Sequence, residues 1–203
     1  MSAEKKPKIS IQRKAQLIKA AFEVVGQKGY SNFTIRDIAV EAGLSTGLVH
    51  YYFENKEDLF FTLFKEMQSN IEENVNAALS QTDDPLNQLR SFIEEAFMMI
   101  KRESQYFHLL FNFWSQINTN DRLKGLSKKL YESYRKTLVG ILESGVAYGC
   151  FKEMDTEHYA ATIVALLQGS VIQYVIDEDV FEYEDFARQQ KERITHMVLI
   201  RER

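Results

Sequence analysis

TIRDIAVEAGLSTGLVHYYF, residues Thr34 to Phe53, reads as two short helices joined by a tight turn, and it decides the architecture of the chain around it. Thr34 supplies the hydroxyl of an N-cap for the amide of Asp37, and the Asp37 carboxylate falls in the first turn, at the positive end of the helix dipole. Ile35, Ile38, Ala39 and Ala42 recur at the spacing of a buried stripe. Gly43 then offers the left-handed backbone that stops a helix and turns the chain. Ser45 caps the second helix, Val49 anchors it and Phe53 closes it onto the core, which leaves Thr46, Gly47, Leu48, His50 and Tyr51 around the anchor. Small and hydrogen-bonding side chains at the start of a helix are what it needs to enter a major groove about 12 Å wide and reach base edges.

A helical hairpin with a glycine turn also occurs in all-helical proteins that never touch DNA. Two observations favour the nucleic-acid reading. Polar and aromatic residues take the outward face of the second helix where a bland surface would carry Glu and Lys, and the adjacent Tyr51 and Tyr52 cannot both face the core. The charge is also unevenly spread: residues 1–53 hold eight Lys or Arg against four Asp or Glu, while the whole chain is at -4. That is a small cationic module on an acidic body. Lys5, Lys6 and Lys8, with Pro7 among them, precede the first expected helix and read either as an arm for phosphates or a minor groove, or as a solvated tail.

At this point the segment resembles the helix-turn-helix of the TetR family of bacterial repressors. In that family threonine and arginine open the first helix, glycine makes the turn, and a Tyr-Tyr-Phe ending precedes Asn-Lys. Here those are Thr34, Arg36, Gly43, Tyr51, Tyr52, Phe53, Asn55 and Lys56, in register over about 50 residues. The resemblance implies that Thr46, Gly47, Leu48 and His50 face bases, with Ser45 capping their helix, that Arg36 reaches a guanine edge, and that Thr34, Tyr51, Tyr52 and Lys56 hold phosphates. His50 stands where the family more often has tyrosine. An imidazole can donate or accept, so the base it would read stays open, as does a packing role.

The remainder reads as all-α. Helices are expected from about Ser10 to Gln27 with Ala15, Ile18, Ala21, Phe22 and Val25 inward, and from Asn55 to about Ser80 with Leu59, Leu63, Met67 and Ile71 inward. Others follow from Pro85 to Glu103, Gln105 to Ile117, Asp121 to Tyr148, Thr156 to Asp177, and Tyr183 onward, giving nine helices and no convincing strand. A DNA-binding domain over 1–54 and a helical ligand-binding and dimerisation domain over 55–203 are the expected division.

The stretches FNFWSQINTNDRLKGL (Phe111–Leu126) and LLQGSVIQYVID (Leu166–Asp177) are similar to the C-terminal domain of the subgroup that contains the choline-responsive regulator. The family's layout implies a homodimer on a palindromic operator, its last two helices pairing with a second copy. The expected contact comprises Ala161, Ala165, Leu166, Gly169, Ile172 and Val175, then Phe186, Ile194, Met197 and Val198. It also implies an unidentified, largely apolar effector, for which Phe64, Met67, Phe111, Trp114 and Gln168 are the candidates, with Glu95 for a cationic one. Most aromatic and methionine residues of the body are ordinary core by the same spacing rule.

Residues 159–176 are as long as a bilayer crossing, but Gln168, Ser170 and Gln173 interrupt them and acidic residues flank them, so a helix buried in a soluble assembly, with no membrane partner, is expected. A single cysteine, Cys150, allows no intrachain disulfide, and the lysine-rich start with no apolar stretch behind it predicts no signal peptide, hence a cytoplasmic protein. His50, His108, His158 and His196 are scattered without a metal or Cys-His spacing, so neither an enzyme nor a cofactor is expected. The rival reading is an architectural helical dimer that binds protein partners without reading DNA sequence.

Overall fold

The computed structural model describes residues 5–102 and 104–200, with side chains for residues 11–99, 101–102, 106–107 and 109–200. Nine helices and no strand occur among the described residues: α1 (Lys5–Asn32), α2 (Ile35–Glu41), α3 (Thr46–Tyr52), α4 (Lys56–Leu79), α5 (Pro85–Arg102), α6 (Ser104–Gln116), α7 (Asp121–Ala147), α8 (Thr156–Ile176) and α9 (Tyr183–Val198). One antiparallel bridge joins Phe151 and Leu199. The order and kind of the elements match the expectation; α1 starts earlier, so that Lys5, Lys6 and Lys8 belong to it, their side chains lying outside the described set.

The chain forms two compact units. One comprises Met1–Ser69 with Glu103–Leu123, the other Asn70–Arg102 with Lys124–Arg203. The first unit therefore extends past residue 54 and takes in the start of α4 and all of α6.

In the first unit α1 packs on α6 and α2, and α2 on α3. Leu17, Ala21, Val25, Phe33, Ile38, Val49, Phe53, Leu59, Phe60, Phe64 and Phe113 are its core. The inward face of α1 runs through Leu17, Ala20, Ala21, Val24 and Val25; Ala15 is exposed and Ile18 half-buried, contrary to the expected stripe. The helix is covered on two sides, by α2 and by α6, so its buried arc is wider and rotated relative to a one-sided stripe.

In the second unit α5 packs on α9 and α8, around Leu89, Ile93, Leu138, Leu142, Phe151, Ile163, Ile194 and Val198. Ile194 and Val198 are 1% and 0% exposed. They pack inside their own protomer and have no surface to offer a second copy, which corrects their place in the expected dimer face.

Candidate nucleic-acid interface

The reading head is built by caps. Asp37 N donates to Thr34 Oγ1 (3.1 Å) and Thr34 N to Asp37 Oδ2 (2.8 Å), a reciprocal capping box that satisfies two amides at the start of α2. Lys28 Nζ lies 2.7 Å from Asp37 Oδ1. The Lys28 ammonium first, and the Thr34 hydroxyl and amide after it, hold the Asp37 carboxyl down at about 2. At the other end Gly43 takes φ +63°, and its amide and that of Leu44 donate to Val40 O (3.0 Å) and Ala39 O (2.9 Å), the Schellman arrangement that ends a helix on glycine. Gln16 of α1 donates to Ala42 O (2.7 Å) and ties this turn to the scaffold.

Ser45 Oγ accepts from Leu48 N (3.2 Å) and starts α3 at Thr46. Only Val49 of α3 is buried, and Phe53 closes the helix beneath it. Thr34, Arg36, Ser45, Thr46, Gly47, His50 and Tyr51 are exposed, with Leu48 and Tyr52 half-buried. Tyr51 is 75% exposed, and its ring meets that of Tyr52 edge to face at 5.0 Å. Nine of the ten expected DNA-contact residues thus keep exposed or half-exposed surface on α2, α3 or their N-caps.

Lys56 is the exception. Its ammonium donates to Phe33 O (2.8 Å) and Ser31 O (3.3 Å) and lies over the Phe33 ring (4.2 Å) and the Tyr30 ring (5.1 Å). Burial pushes its pKa down, opposed by Asp37. Half-buried, Lys56 caps the end of α1, a structural role that competes with the phosphate contact drawn from the resemblance. Sequence reading also passed over Gln16, Lys28 and Asn112, whose partners lie 26, 9 and 82 positions away and leave no local signal.

The expected effector residues are divided between the two units, four in the first and two in the second. Phe64 and Met67 are fully buried in the first unit, Phe64 edge-on to Phe113 at 4.5 Å. Phe111 and Trp114, also in the first unit, are half-buried and meet edge to face at 5.3 Å. In the second unit Arg102 Nη1 donates to Glu95 Oε2 at 2.9 Å, so the Glu95 carboxylate already faces a cation of its own helix and is not poised for a cationic ligand. Gln168 donates to the Tyr131 hydroxyl (2.9 Å), within a polar group that includes Tyr134 and Glu72, and Ser133 Oγ donates to Glu72 Oε1 (3.1 Å). Burial, with Tyr131 and Glu72 adding to it, pushes the Tyr134 hydroxyl pKa well up. A cleft of about 350 Å³ between α5 and α9 has Ile93, Phe97, Met98 and Tyr183 in its wall and the Lys101–Glu184 and Lys191–Glu94 pairs across it; none of the six expected residues lines it.

On α8, Ala160, Ile163, Val164, Leu167, Ser170 and Val171 face inward, while Ala161, Ala165 and Leu166 are exposed and Gly169, Ile172 and Val175 half-buried. This helix is long and apolar enough to cross a membrane by length and composition, and a third of that stretch is buried. On α9, Phe186 and Met197 are half-buried.

Residues 17–63 match the family described as bacterial regulatory proteins, tetR family, and residues 85–199 match the one described as BetI-type transcriptional repressor, C-terminal. The HTH-type transcriptional regulator BetI of Brucella suis is 26% identical over 176 residues, 86% of each chain. Two solved structures share the fold. A transcriptional regulator from Saccharomonospora viridis in complex with choline superimposes with a TM-score of 0.86 at 21% identity, covering 95% of this chain and 100% of that one. The transcriptional regulator FadR from Bacillus subtilis in complex with stearoyl-CoA gives 0.75 at 23% identity, covering 90% and 97%.

Proposed function

The chain belongs to the TetR family and is a transcriptional regulator rather than an enzyme, and from that premise we propose that it is a cytoplasmic repressor that binds a palindromic operator as a homodimer and is released by a small, largely apolar effector. The observation that carries the reading is the outer surface of α3: a capped helix anchored by Val49 alone, with Thr46, Gly47 and His50 turned to solvent where a major groove would receive them. Arg36 adds a guanidinium for a guanine edge, and Tyr51 and Tyr52 add donors for phosphates, while the Thr34 hydroxyl and amide both donate to Asp37 Oδ2 and Ser45 serves as the cap of α3. The functional boundary stays at residues 54 and 55, since every group assigned to DNA lies before it.

The exposed strip Ala161, Ala165 and Leu166, with Gly169, Ile172 and Val175 beside it and Phe186 and Met197 on α9, supports the homodimer. These side chains are small or apolar, and a second copy would remove them from water. That occupant also accounts for an apolar helix without placing it in a membrane.

For the effector, two regulators that share the fold were solved with choline, a small cation, and with stearoyl-CoA, a long acyl chain on an anionic carrier. Gln168, bonded to the Tyr131 hydroxyl, is the expected residue best placed for a ligand's polar end. Release requires only that the effector favour a state in which the two reading heads no longer fit the operator; a coupling of about 1 to 3 kcal/mol weakens binding about 5- to 150-fold.

Fluorescence-anisotropy titration against the chain's own promoter fragments and a scrambled duplex, at two salt concentrations, tests the proposal. Selective binding by two protomers per site is expected, and His50→Ala should cost the operator more than the scrambled duplex. Equal affinity for both duplexes in the native protein would return the architectural dimer to the lead.

A further inference from the structure

We propose that Asn112 of α6 is a positioning residue for DNA recognition: its side-chain carbonyl pins the elbow of α1 at Gly29–Tyr30 and so fixes the orientation in which the reading head is held. The inference rests on the reading of the chain as a DNA-binding regulator. It starts from the break in α1. Gly29 has φ 72° and ψ 164°, a conformation that is not helical and that side chains resist. The Tyr30 amide that emerges from it donates to Asn112 Oδ1 at 2.8 Å, and a Cβ on Gly29 would stand 3.1 Å from that same oxygen. Glycine, the bent backbone and the amide side chain of a helix 82 positions away are thus fitted to one another.

The next residue of α6 grips the same elbow from its apolar side. Phe113 packs on Phe60 with ring centres 4.2 Å apart, and Phe60 packs on Tyr30 at 4.4 Å. Lys56 holds the carbonyls of Ser31 and Phe33 just beyond. After Phe33 comes Thr34, the N-cap of α2, with no intervening linker. The direction in which the chain leaves the elbow therefore sets α2, and through it α3.

Without the Asn112 acceptor the elbow samples further orientations, and the apparent affinity falls in proportion to the fraction of reading heads still correctly posed, with about tenfold as the ceiling for the loss of one such hydrogen bond.

The test uses the full-length protein, Asn112→Ala and Asn112→Asp, with a duplex selected from a random pool by the native protein. Asn112→Ala should bind that duplex about twofold to tenfold more weakly while its helix content and its affinity for random duplex stay native, and the Tyr30 amide should exchange faster with solvent. Asn112→Asp keeps the accepting oxygen and should bind like the native protein. Native binding by Asn112→Ala, an equal loss on both duplexes, or an Asp variant no better than Ala would overturn the assignment. If the native protein selects no duplex, the regulator reading fails by itself; Tyr30 exchange still decides the elbow, and native protection in Asn112→Ala refutes it.

Discussion

Lys56 shows how one side chain changes role once its neighbours are known. Its position in the motif suggests a phosphate contact, but two of its three ammonium hydrogens are used on carbonyls at the end of α1, with aromatic rings beneath. Lys56→Ala should lower stability by about 1 to 3 kcal/mol in chemical denaturation. It should leave the dependence of DNA affinity on salt unchanged; a slope smaller by about one unit would restore the phosphate contact. Asp37 makes a prediction in pH. Its folded pKa of about 2 lies below the ordinary carboxylate value, so the stability it adds is present above pH 4 and is lost as pH falls from about 4 towards 2. Asp37→Asn should flatten that part of the denaturation-midpoint curve against pH, and an unchanged curve would show that the Lys28 pair and the capping box contribute nothing.

At the scale of elements, the end of α7 depends on a helix surface without a side chain. A Cβ on Gly145 would stand 1.9 Å from the Phe151 ring, while Gly145 O accepts from the Cys150 and Phe151 amides at 3.0 Å each. Phe151 lies against the helix backbone there and reaches Leu199 in the bridge. Gly145→Ala should cost about 1 to 3 kcal/mol, and the same change made in a Phe151→Ala background should cost less, since the clash is then gone; simple additivity in urea unfolding would deny the contact.

What the sequence discloses follows from distance along the chain. Caps, the Gly43 turn and the inward face of α4 depend on residues within one turn of each other, and they were legible. The face of α1 depends on α6 as well as α2, so Ala15 was misplaced. The partners of Lys56 lie 23 and 25 positions away and that of Asn112 82, beyond any local pattern. Ile194 and Val198 show the remaining limit: an apolar residue announces that it will be buried, but not whether its own chain or another will bury it.

At the scale of the molecule, a cationic head and an acidic body share one chain of net charge -4. On the proposed reading, a net negative chain gains little from non-specific attraction to a duplex, so its affinity rests on the posed head. One α3 of seven residues reads few bases, and two-fold pairing of α8 and α9 would double the reading and impose symmetry on the site. Hydroxyl-radical footprinting of the protein on a duplex it has selected from a random pool measures that symmetry directly. The expected result is two protected half-sites related by a two-fold axis, with centres about one helical turn, or roughly 10 base pairs, apart or a multiple of it. One unsymmetrical patch, or protection spread evenly along the duplex, would contradict a paired reading head.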